Sequence, residues 1–489
     1  MRLFDFQEDR ALLKAAFHEA EQSKLELYLV GGYLRDNYLG VRKGSPDIDF
    51  CLKKKAVDFA RYLARRISAG FVLLDKEHGC ARVVKRIKDK TYTLDFADFR
   101  GKSIEEDLRH RDFTINSMAL SLKDALASDL KAGEKGIIDP CAGRKDIKER
   151  LIRLTDDKAF RDDPLRMLRA FSLSSVFGFR IDGEVLKRIK SEAGLLAAVS
   201  FERIRDELFK ILQRPLAFEA ISKLDSLKIL NIIIPEIEVM RGVKQGPYHH
   251  LDVWQHTLEA LRQFELLLKR TGRNKDIQGY LDEAISGERK RRGLIKLGIL
   301  LHDIGKPAAL VHEEGKTKFH GHERIGWNIT KEIAKRLKLS NDEADSLGKM
   351  VFWHLRPGYL ADNKHITARA KFRYFRDTAR EALSILLLSL ADQRATKGPL
   401  TSEESRIQHE KGVYGLIREY FKNAKAKKPP RLITGDDLIK SLKISPSPLI
   451  GKILSEIEEL QAIGKIKDKQ EALRVARKLI KKSGDGSRA

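Results

Sequence analysis

The segment 28–50, YLVGGYLRDNYLGVRKGSPDIDF, constrains the fold more strongly than any other part of the chain. It predicts a short apolar strand, a Gly-Gly turn, a helix that opens near Leu34, and a second strand that carries Asp47 and Asp49. Because alternate residues of a strand point to the same face, these two carboxylates are expected to lie side by side. Two negative charges at such short range repel each other, and a divalent cation between them removes this cost. The segment therefore predicts a cation site on a strand.

Gly31 and Gly32 add a second feature to this segment. A residue without a side chain lets the backbone approach a phosphate closely, and the N–H groups at the start of a helix, together with Arg35, favour negative charge. A phosphate cradle beside paired metal-binding carboxylates is what phosphoryl or nucleotidyl transfer requires. Taken separately, the glycines are a plain turn and the acids a solvated strand end. Their combination at this spacing favours the functional interpretation.

The charge balance of the chain points to a polyanionic partner. The 489 residues carry a formal net charge of +25, with a pI of about 9.7, which suits nucleic acid better than a membrane. No apolar run reaches the roughly 18 residues that span a bilayer. Acidic residues interrupt the N-terminal MRLFDFQEDR, which is therefore not expected to be a signal peptide. The three cysteines, Cys51, Cys80 and Cys141, lack metal-site spacing and indicate a reducing, cytoplasmic environment.

Strand and helix patterns divide the chain into four parts. Up to about residue 122, the strand patterns LYLV, DIDFCL, FVLLD, ARVVKRI and YTLDFADF alternate with helices, whereas helical periodicity dominates afterwards. The fold class expected is α+β, with a small mixed sheet at the front and all-helical domains behind it. The domain boundaries expected are 1–150, 151–244, 245–400 and 401–489.

Further polar residues are candidates for the same site. Asp95 and Asp98 lie in the later strand TLDFADF, and Asp95 fits the apolar alternation better as a third acid of a two-metal centre. In the motif EEDLRHRDFTINSMAL, Arg111, Asp112 and Asn116 combine a cation for a triphosphate with groups able to bond ribose or base.

The motif DDPLRMLR contains Asp163, Arg166 and Arg169, three residues apart at each step. This spacing predicts that they share one helix face near its start, with Pro164 in the first turn. An Asp and an Arg on one face can read the edge of a base through hydrogen bonds. A surface ladder of ion pairs is the alternative interpretation.

Six motifs occur in order along the chain: GGYLRD, DID, RDFTINSMAL, IIDPCAGRKDIKERLIR, DDPLRMLR and SFERIRDEL. Together they resemble the class II tRNA nucleotidyltransferase and bacterial poly(A) polymerase family over roughly residues 25–240. The tail element LITGDDLI…SPLIGKIL resembles that family as well. The resemblance implies a polymerase-β-like head followed by helical neck, body and tail domains that hold the acceptor arm of a tRNA.

The resemblance also implies roles for particular residues. Asp47 and Asp49 would bind Mg²⁺. The residues that would contact the triphosphate are Gly32, Arg35 and Arg111. Asp163 and Arg166 would pair with the incoming base and select C or A without a nucleic-acid template.

Three positions depart from the family's usual pattern. Asp162 stands where a Glu is usual, and His110 replaces the first Arg of the RRDFT motif. Ser172 stands where relatives usually carry an Arg, which removes a cation from the nucleotide pocket or its framework. None of the three touches the predicted metal-binding acids.

A second cluster of candidates lies in the segment 245–400, which holds nine of the chain's 13 histidines. His302 and Asp303 are adjacent at the end of the apolar helical pattern GILLHD. Imidazole and carboxylate together suit Mn, Fe, Co, Ni, Zn or Mg. A single histidine in an apolar helix is usually a core residue, but several around an adjacent His-Asp pair favour a metal centre.

The pattern H…HD…D of this segment resembles the HD phosphohydrolase superfamily. The resemblance implies a metal-binding, water-activating set that consists of His256, His302, Asp303 and Asp392. His322 and His354 would bind a second metal, and Lys306 would lie near a phosphate. His249 and His250 fall outside the pattern and are expected on the surface. The sequence leaves the substrate open; cyclic or 3′-terminal phosphates on RNA are candidates, because trimming such an end would restore the 3′-hydroxyl that the first site extends.

The chain as a whole is expected to be a Mg²⁺-dependent, template-independent enzyme that adds CMP or AMP from CTP or ATP to the 3′ end of tRNA. Addition of only CC or only A fits almost as well. Poly(A) polymerase is less favoured, because FVLLDKEHGCARVV lacks the GRRF-type basic run usual in those enzymes. Two other classes stay open: an HD phosphohydrolase that uses the head to bind RNA, and an RNA chaperone inferred from charge alone. The intact acid pair disfavours the first of these, and any metal-dependent turnover would exclude the second.

Overall fold

The computed structural model describes residues 7–41, 47–127, 136–272, 274–313, 315–363, 365–425 and 430–485. The chain divides into two compact units. The first comprises Met1–Ile211 and Lys223–Ile233, and the second comprises Leu212–Ser222 and Ile234–Ala489. The chain therefore passes between the units three times, after residues 211, 222 and 233.

A six-stranded sheet organises the first unit, in the spatial order β3-β4-β5-β2-β1-β6. Its strands are β1 (Tyr28–Val30), β2 (Asp47–Leu52), β3 (Gly70–Asp75), β4 (Cys80–Ile87), β5 (Lys90–Asp98) and β6 (Ala119–Ser121). β2 and β5 run parallel, whereas the other neighbours run antiparallel. All five expected strands are present, and β6 is an addition of three residues. The mixed sheet confirms the α+β head.

The packing of this sheet determines which way its acids point. The helices of this part are α1 (Gln7–Gln22), α2 (Gly31–Tyr38), α3 (Ala56–Arg66), α4 (Ile104–Arg109), α5 (Leu122–Ala127) and α6 (Gly143–Glu149). Phe59 of α3 packs edge-on against Phe96, with ring centroids 5.4 Å apart, and Phe96 stacks on Phe50 at 4.9 Å. Because Phe50 and Phe96 alternate with Asp49 and Asp95, this apolar packing turns both acids to the opposite face.

Helices dominate residues 151–240, as expected. They are α7 (Ala159–Asp162), α8 (Arg166–Phe177), α9 (Gly183–Glu192), α10 (Phe201–Leu212), α11 (Ala217–Ser226) and α12 (Ile229–Ile233). Gly178 ends α8 with φ +66°, the left-handed conformation that commonly stops a helix. A short parallel pair, β7 (Leu151–Ile152) with β8 (Arg180–Ile181), interrupts the helices and was not indicated by the periodicity.

The second unit is also mostly helical. Its helices before the tail are α13 (Val253–Thr271), α14 (Lys275–Asp282), α15 (Arg291–Leu301), α16 (His322–Arg336), α17 (Asn341–Trp353), α18 (Arg356–Ala361), α19 (Ala368–Thr378), α20 (Ala382–Ala395) and α21 (Glu403–Lys425). Every residue of α20 from 382 to 391 is buried, because α13, α15, α17, α18 and α21 all contact it. Two short hairpins are additions: β9 (Ala284–Ser286) with β10 (Arg289–Lys290), and β11 (Val311–Glu313) with β12 (Lys316–Lys318).

Three tail helices complete the second unit: α22 (Gly435–Leu442), α23 (Pro448–Ala462) and α24 (Lys469–Asp485). They enclose an apolar cluster that includes Ile453 and Ile457. Glu459 of α23 is buried, accepts a hydrogen bond from Arg373 of α19 at 2.8 Å, and forms an ion pair with Arg369 at 2.5 Å. This buried carboxylate anchors the tail helices on α19.

The segment Leu212–Ser222 is bonded into the second unit. Lys296 of α15 is fully buried, and its ammonium group donates to the carbonyl oxygen of Arg214 and to the carboxylate of Glu265, both at 2.6 Å. Glu265 also accepts a hydrogen bond from the backbone N–H of Phe218 at 3.1 Å. A buried lysine requires such partners, because an unpaired charge in the interior is strongly unfavourable. Among the described residues, no helix combines the length and apolar character needed to cross a lipid bilayer.

Candidate active site and metal centre

The predicted acids of the head share one face of the sheet. Asp47 and Asp49 lie on β2, and Asp95 lies on β5, where the parallel register places it directly beside Asp49. Residues aligned in neighbouring strands point to the same side. Asp98 is aligned with Leu52 and therefore points to the opposite side. The preference for Asp95 over Asp98 agrees with this geometry.

Asp95 already has a partner in the structure. Each of its carboxylate oxygens accepts a hydrogen bond from Arg82, Nε and Nη2 respectively, at 2.7 Å. Asp47 is exposed and accepts a hydrogen bond from the hydroxyl of Thr93. Asp95 is therefore engaged by Arg82, and a cation beside Asp49 would use the remaining lone pairs of Asp95 or displace the guanidinium group.

The start of α2 closely approaches Asp49. The helix begins at Gly31, so the prediction that it opens near Leu34 was wrong by three residues. Gly31 has φ +69°, and a Cβ on it would lie 2.9 Å from Asp49 Oδ2. The backbone N–H of Gly32 donates a hydrogen bond to the same carboxylate. The two glycines therefore allow a helix start and a carboxylate to meet at this corner.

Charges around Asp49 indicate how a cation would fit. Burial raises the pKa of Asp49 to about 6; Arg111 opposes this rise, whereas Asp95 and Asp47 add to it. A carboxyl group in such surroundings gains from a positive neighbour, and a divalent cation supplies one. Carboxylate oxygens are the ligands that Mg²⁺ prefers. The donor set of Asp47 and Asp49 therefore fits this ion.

Arg111 is held beside Asp49 by two residues that sequence reasoning did not single out. Its Nε and Nη2 donate to the buried carboxylate of Asp107 at 3.1 and 3.0 Å, and Nη2 lies 2.9 Å from the Cys51 sulfur. Its Nη1 lies 3.4 Å from the position of a Cβ on Gly31. Asp107 lies in α4 and Arg111 lies two residues beyond its end, and their spacing of four residues was the signal that could have revealed this pair.

Four further predicted residues form one chain of hydrogen bonds. Arg35 donates to Asn116 Oδ1 at 2.5 Å, and Asn116 Nδ2 donates to Asp112 Oδ1 at 3.0 Å. Arg169 Nε donates to Asp112 Oδ2 at 2.9 Å. Burial alone would raise the pKa of Asp112, but Arg169 and Asn116 outweigh it and lower the pKa to about 2. This network joins α2 to α8 through a charged and buried carboxylate.

Asp163 and Arg166 are arranged differently from the prediction. α8 begins at Arg166, and Asp163 precedes it in an extended conformation, so the expectation that both lie on one helix face was wrong. Pro164 explains the difference, because the residue before a proline is driven away from the helical region. Asp163 Oδ2 accepts a hydrogen bond from Arg203 at 2.7 Å. The guanidinium group of Arg166 donates to three main-chain carbonyl oxygens, those of His110, Arg111 and Ala159.

Ser172, where the family usually has an arginine, faces a buried acid. Its hydroxyl donates to Glu207 Oε2 at 2.5 Å, and Lys210 donates to the other oxygen of Glu207 at 2.7 Å. The hydroxyl and the lysine together satisfy the buried carboxylate. Glu207 was not identified from the sequence.

The second unit brings all six predicted metal ligands together. They form two groups of three whose ligand atoms lie within 4.8 Å of one another: His256, His302 and Asp392 in one group, and Asp303, His322 and His354 in the other. We call these six residues the HD centre. The ligands come from five helices or from the residues that directly follow them: α13, α15, α16, α17 and α20.

Three imidazoles of the HD centre are oriented by their own main chain. Each donates its Nδ1–H to the carbonyl oxygen three residues earlier, at 2.7 to 2.9 Å; these residues are His302, His322 and His354. The Nε2 atoms are thereby directed inward, and those of His322 and His354 lie 3.3 Å apart. Such hydrogen bonds fix the tautomer and ring orientation of a metal-binding histidine.

Asp303, a member of the second group, also lies close to the first. Its Oδ2 is 3.2 Å from His302 Nε2, and its Oδ1 is 3.5 Å from His322 Nε2 and 3.7 Å from His354 Nε2. In the described part of the chain, Asp303 Oδ1 and His302 Nε2 are buried without a hydrogen-bond partner. Buried polar atoms are normally satisfied. Their convergence with imidazole and carboxylate donors fits divalent cations.

His249 and Lys306 lie closer to the HD centre than the sequence indicated. His249 was predicted on the surface, and this was wrong: its ring packs against that of His256, with centroids 4.8 Å apart. His250 is exposed, as expected. Lys306 Nζ lies 2.6 Å from Asp303 Oδ2 and donates to Gln245 at 2.7 Å, so it sits at the centre. The loop that carries His249 folds back onto α13, which a periodic pattern cannot indicate.

Four models of known protein families match the chain. The model of the Poly A polymerase head domain matches residues 27–153, and that of the probable RNA and SrmB-binding site of polymerase A matches 178–240. The HD domain model matches 253–397, and the model described as tRNA nucleotidyltransferase domain 2 (putative) matches 328–476.

Curated relatives and solved structures are similar over most of the chain. The A-adding tRNA nucleotidyltransferase of Deinococcus radiodurans is 32% identical over 91% of this chain and 93% of its own length. The CC-adding tRNA nucleotidyltransferase of Geobacter sulfurreducens is 29% identical over 91% and 90%, respectively. The fold is similar to that of the Thermotoga maritima CCA-adding enzyme complexed with tRNA, with a TM-score of 0.61 and 23% identity over 97% and 96% of the two chains. On this similarity in sequence, the chain belongs to the tRNA nucleotidyltransferase family.

Proposed function

We propose that this chain transfers CMP or AMP from CTP or ATP to the 3′-hydroxyl of a tRNA. The observation that carries the proposal is the position of Asp47 and Asp49 on one face of β2, beside the glycine start of α2. The curated relatives, named as A-adding and CC-adding tRNA nucleotidyltransferases, support tRNA as the acceptor. The net charge of +25 suits a nucleic-acid partner.

Asp47 and Asp49 are the residues that would hold Mg²⁺ in the head. Bound there, Mg²⁺ would supply charge neutralisation at the triphosphate and a more acidic 3′-hydroxyl. The start of α2 lies beside Asp49, and the N–H groups there other than that of Gly32, which bonds Asp49, would favour a phosphate oxygen. Arg111, fixed by Asp107, adds a guanidinium group whose Nη1 lies 3.4 Å from the position of a Cβ on Gly31. Together these groups would align an α-phosphate for attack by the hydroxyl, with pyrophosphate as the leaving group.

Nucleotide selection is proposed for the residues at the start of α8. Asp163 and Arg166 would read the edge of the base, as the family resemblance implies. In the structure Arg203 holds Asp163, and main-chain carbonyls hold Arg166. Base reading would therefore require these hydrogen bonds to be exchanged for bonds to the nucleotide. Arg35 and Asn116, which bond each other, would set the geometry of the pocket.

A second activity is proposed for the HD centre: hydrolysis of phosphate esters at RNA ends. The observation that favours it is the pair of ligand triads, with Asp303 of the second triad in close contact with His302 of the first. Divalent cations bound by these residues would supply an activated water. Lys306, 2.6 Å from Asp303, would contact the phosphate. One water would open a cyclic phosphate to a 3′-phosphomonoester, and a second would release inorganic phosphate from that monoester and leave the 3′-hydroxyl that the head extends.

Extension of defined tRNA transcripts tests the main proposal. Purified protein is incubated with Mg²⁺ and labelled CTP or ATP, and with transcripts that lack CCA, lack only the final A, or are complete. A short, defined extension is expected, and the transcript accepted distinguishes CCA, CC and A addition. Asp49→Asn is expected to lower the rate by about 10²-fold or more.

Other outcomes would assign the chain differently. Long products from ATP alone on any RNA would identify a poly(A) polymerase. Phosphate release from a cyclic end, without any extension, would leave the HD centre as the only enzyme and the head as an RNA-binding module. Equal extension by wild-type protein and Asp49→Asn would contradict the role of the acid pair.

A further inference from the structure

His249 belongs to neither ligand triad of the HD centre, yet it faces that centre. Its imidazole packs edge-on against His256, with ring centroids 4.8 Å apart and planes at 89°. Its Nδ1 is buried and, within the part of the chain that the structure describes, has no hydrogen-bond partner. The adjacent His250 is exposed. Of two neighbouring imidazoles, one is therefore turned towards the ligands and one towards solvent.

The loop that carries His249 is held in place by the segment that follows α20. The N–H of Gly398 donates to the carbonyl oxygen of Tyr248 at 2.7 Å. A Cβ on Gly398 would lie 2.1 Å from the carbonyl carbon of Tyr248, so only glycine permits this approach. α20 carries Asp392, and α13, directly after the loop, carries His256. His249 is thereby fixed with respect to two ligands of the same triad.

The loop that carries His249 also positions the ammonium group of Lys306 at the HD centre. The buried side chain of Gln245 accepts a hydrogen bond from Lys306 Nζ at 2.7 Å and donates to the carbonyl oxygen of Leu251 at 3.3 Å. Lys306 Nζ also lies 2.6 Å from Asp303 Oδ2. Gln245 therefore connects the ammonium group to the loop that contains His249.

An unpaired imidazole nitrogen and an ammonium group beside a set of cation ligands suit a phosphoryl group. Cations neutralise some of its oxygens, and the remaining oxygens need hydrogen-bond donors. We propose that His249 is a substrate-binding residue of the HD centre, which donates a hydrogen bond to a non-bridging oxygen of a phosphate ester, next to Lys306. This proposal rests on the proposed hydrolytic function of the HD centre.

Binding of inorganic phosphate tests the proposal without relying on turnover. The full-length protein is loaded with Mn²⁺, its metal content is measured by mass spectrometry, and phosphate is titrated by calorimetry. The variants are His249→Ala, His249→Asn, which keeps a donor, and His250→Ala as the matched control. His249→Ala is expected to retain Mn²⁺ and to bind phosphate about tenfold more weakly, the effect of one lost hydrogen bond to a charged group. His249→Asn should recover part of this affinity, and His250→Ala should match wild type.

Three results would overturn the proposal: unchanged phosphate affinity in His249→Ala, loss of Mn²⁺ from that variant, or no phosphate binding by Mn²⁺-loaded wild type. Hydrolysis of a 2′,3′-cyclic nucleotide and tRNA extension are measured on the same preparations. If the protein does not hydrolyse the cyclic nucleotide but its phosphate affinity still depends on His249, the hydrolytic function is contradicted and the binding role of His249 is supported. Extension of tRNA reports on the head separately, so failure of the main proposal is distinguishable from both.

Discussion

Replacing Gly31 by alanine tests whether catalysis needs the close approach of α2 to Asp49. The added Cβ would lie 2.9 Å from Asp49 Oδ2 and 3.4 Å from Arg111 Nη1, at a residue with φ +69°. Gly40, just beyond the other end of the helix, also has φ +69°, but a Cβ there would meet no described atom within 4 Å. Gly40→Ala is therefore a matched control, with the same backbone conformation and no crowding.

The two substitutions should have similar effects on stability and different effects on rate. An alanine in the left-handed conformation costs about 1–2 kcal/mol, so both variants should melt a few degrees lower, roughly 2–4 °C per kcal/mol for a unit of this size. In Gly31→Ala the carboxylate must also retreat by about 0.5 Å, more than the ~0.2 Å that metal-ligand distances tolerate. Because a misplacement of ~1 Å can cost ~10²-fold in rate, we expect kcat/KM for tRNA extension to fall about 10- to 100-fold.

The assay is gel-resolved extension of a tRNA that lacks its final nucleotides, at saturating Mg²⁺, alongside thermal melting of each variant. Gly31→Ala that extends tRNA as fast as Gly40→Ala would refute the reasoning, because crowding of Asp49 would then have no catalytic consequence. Equal and large losses in both variants would assign the effect to backbone strain alone.

Three other predictions concern separate parts of the chain. Asp112→Asn should lower the free energy of unfolding by about 2 kcal/mol at pH 7, because Arg169 helps to lower the pKa of Asp112 from 3.8 to about 2. This stabilisation is present above pH ~4 and is lost towards pH 2. The unfolding free energies of wild type and variant, measured in urea, should therefore converge in acid. Asp303→Asn should release metal from the HD centre, measured by mass spectrometry, while tRNA extension continues at the wild-type rate. Glu459→Gln should weaken the anchoring of the tail helices by about 1–3 kcal/mol, because Arg373 loses its charged partner, and limited trypsin digestion should then cleave the tail faster than in wild type.

The sequence predicted those features that depend on a fixed repeat. The alternation of β2 placed Asp47 and Asp49 on one face, because the period of a strand is two residues regardless of its surroundings. The same rule preferred Asp95, which the register puts beside Asp49. The ligands of the HD centre, by contrast, were implied by the resemblance to the HD phosphohydrolase superfamily and not by any repeat, and the structure brings all six together.

The features that were missed depend on local departures from a repeat or on contacts distant in sequence. Asp163 lies outside α8, because Pro164 moves the start of the helix to Arg166. His249 lies in a loop without periodicity, and this loop is bonded to the segment around Gly398, about 150 residues later in the chain. Arg203, which holds Asp163, comes from a helix 40 residues away in the sequence. No pattern in the sequence specifies such a pairing.

The threefold passage of the chain between its two units has a consequence for separating the two proposed activities. A fragment that ends at Ile211 lacks Lys223–Ile233, whose buried Ile229 and Ile233 belong to the first unit. A fragment that ends at Ile233 instead removes Arg214 from the second, so that the wholly buried Lys296 keeps only Glu265. No single cut yields both parts intact. The nucleotide-adding and hydrolytic activities are therefore best separated by point substitutions in the whole chain, since truncation at either place damages one of them.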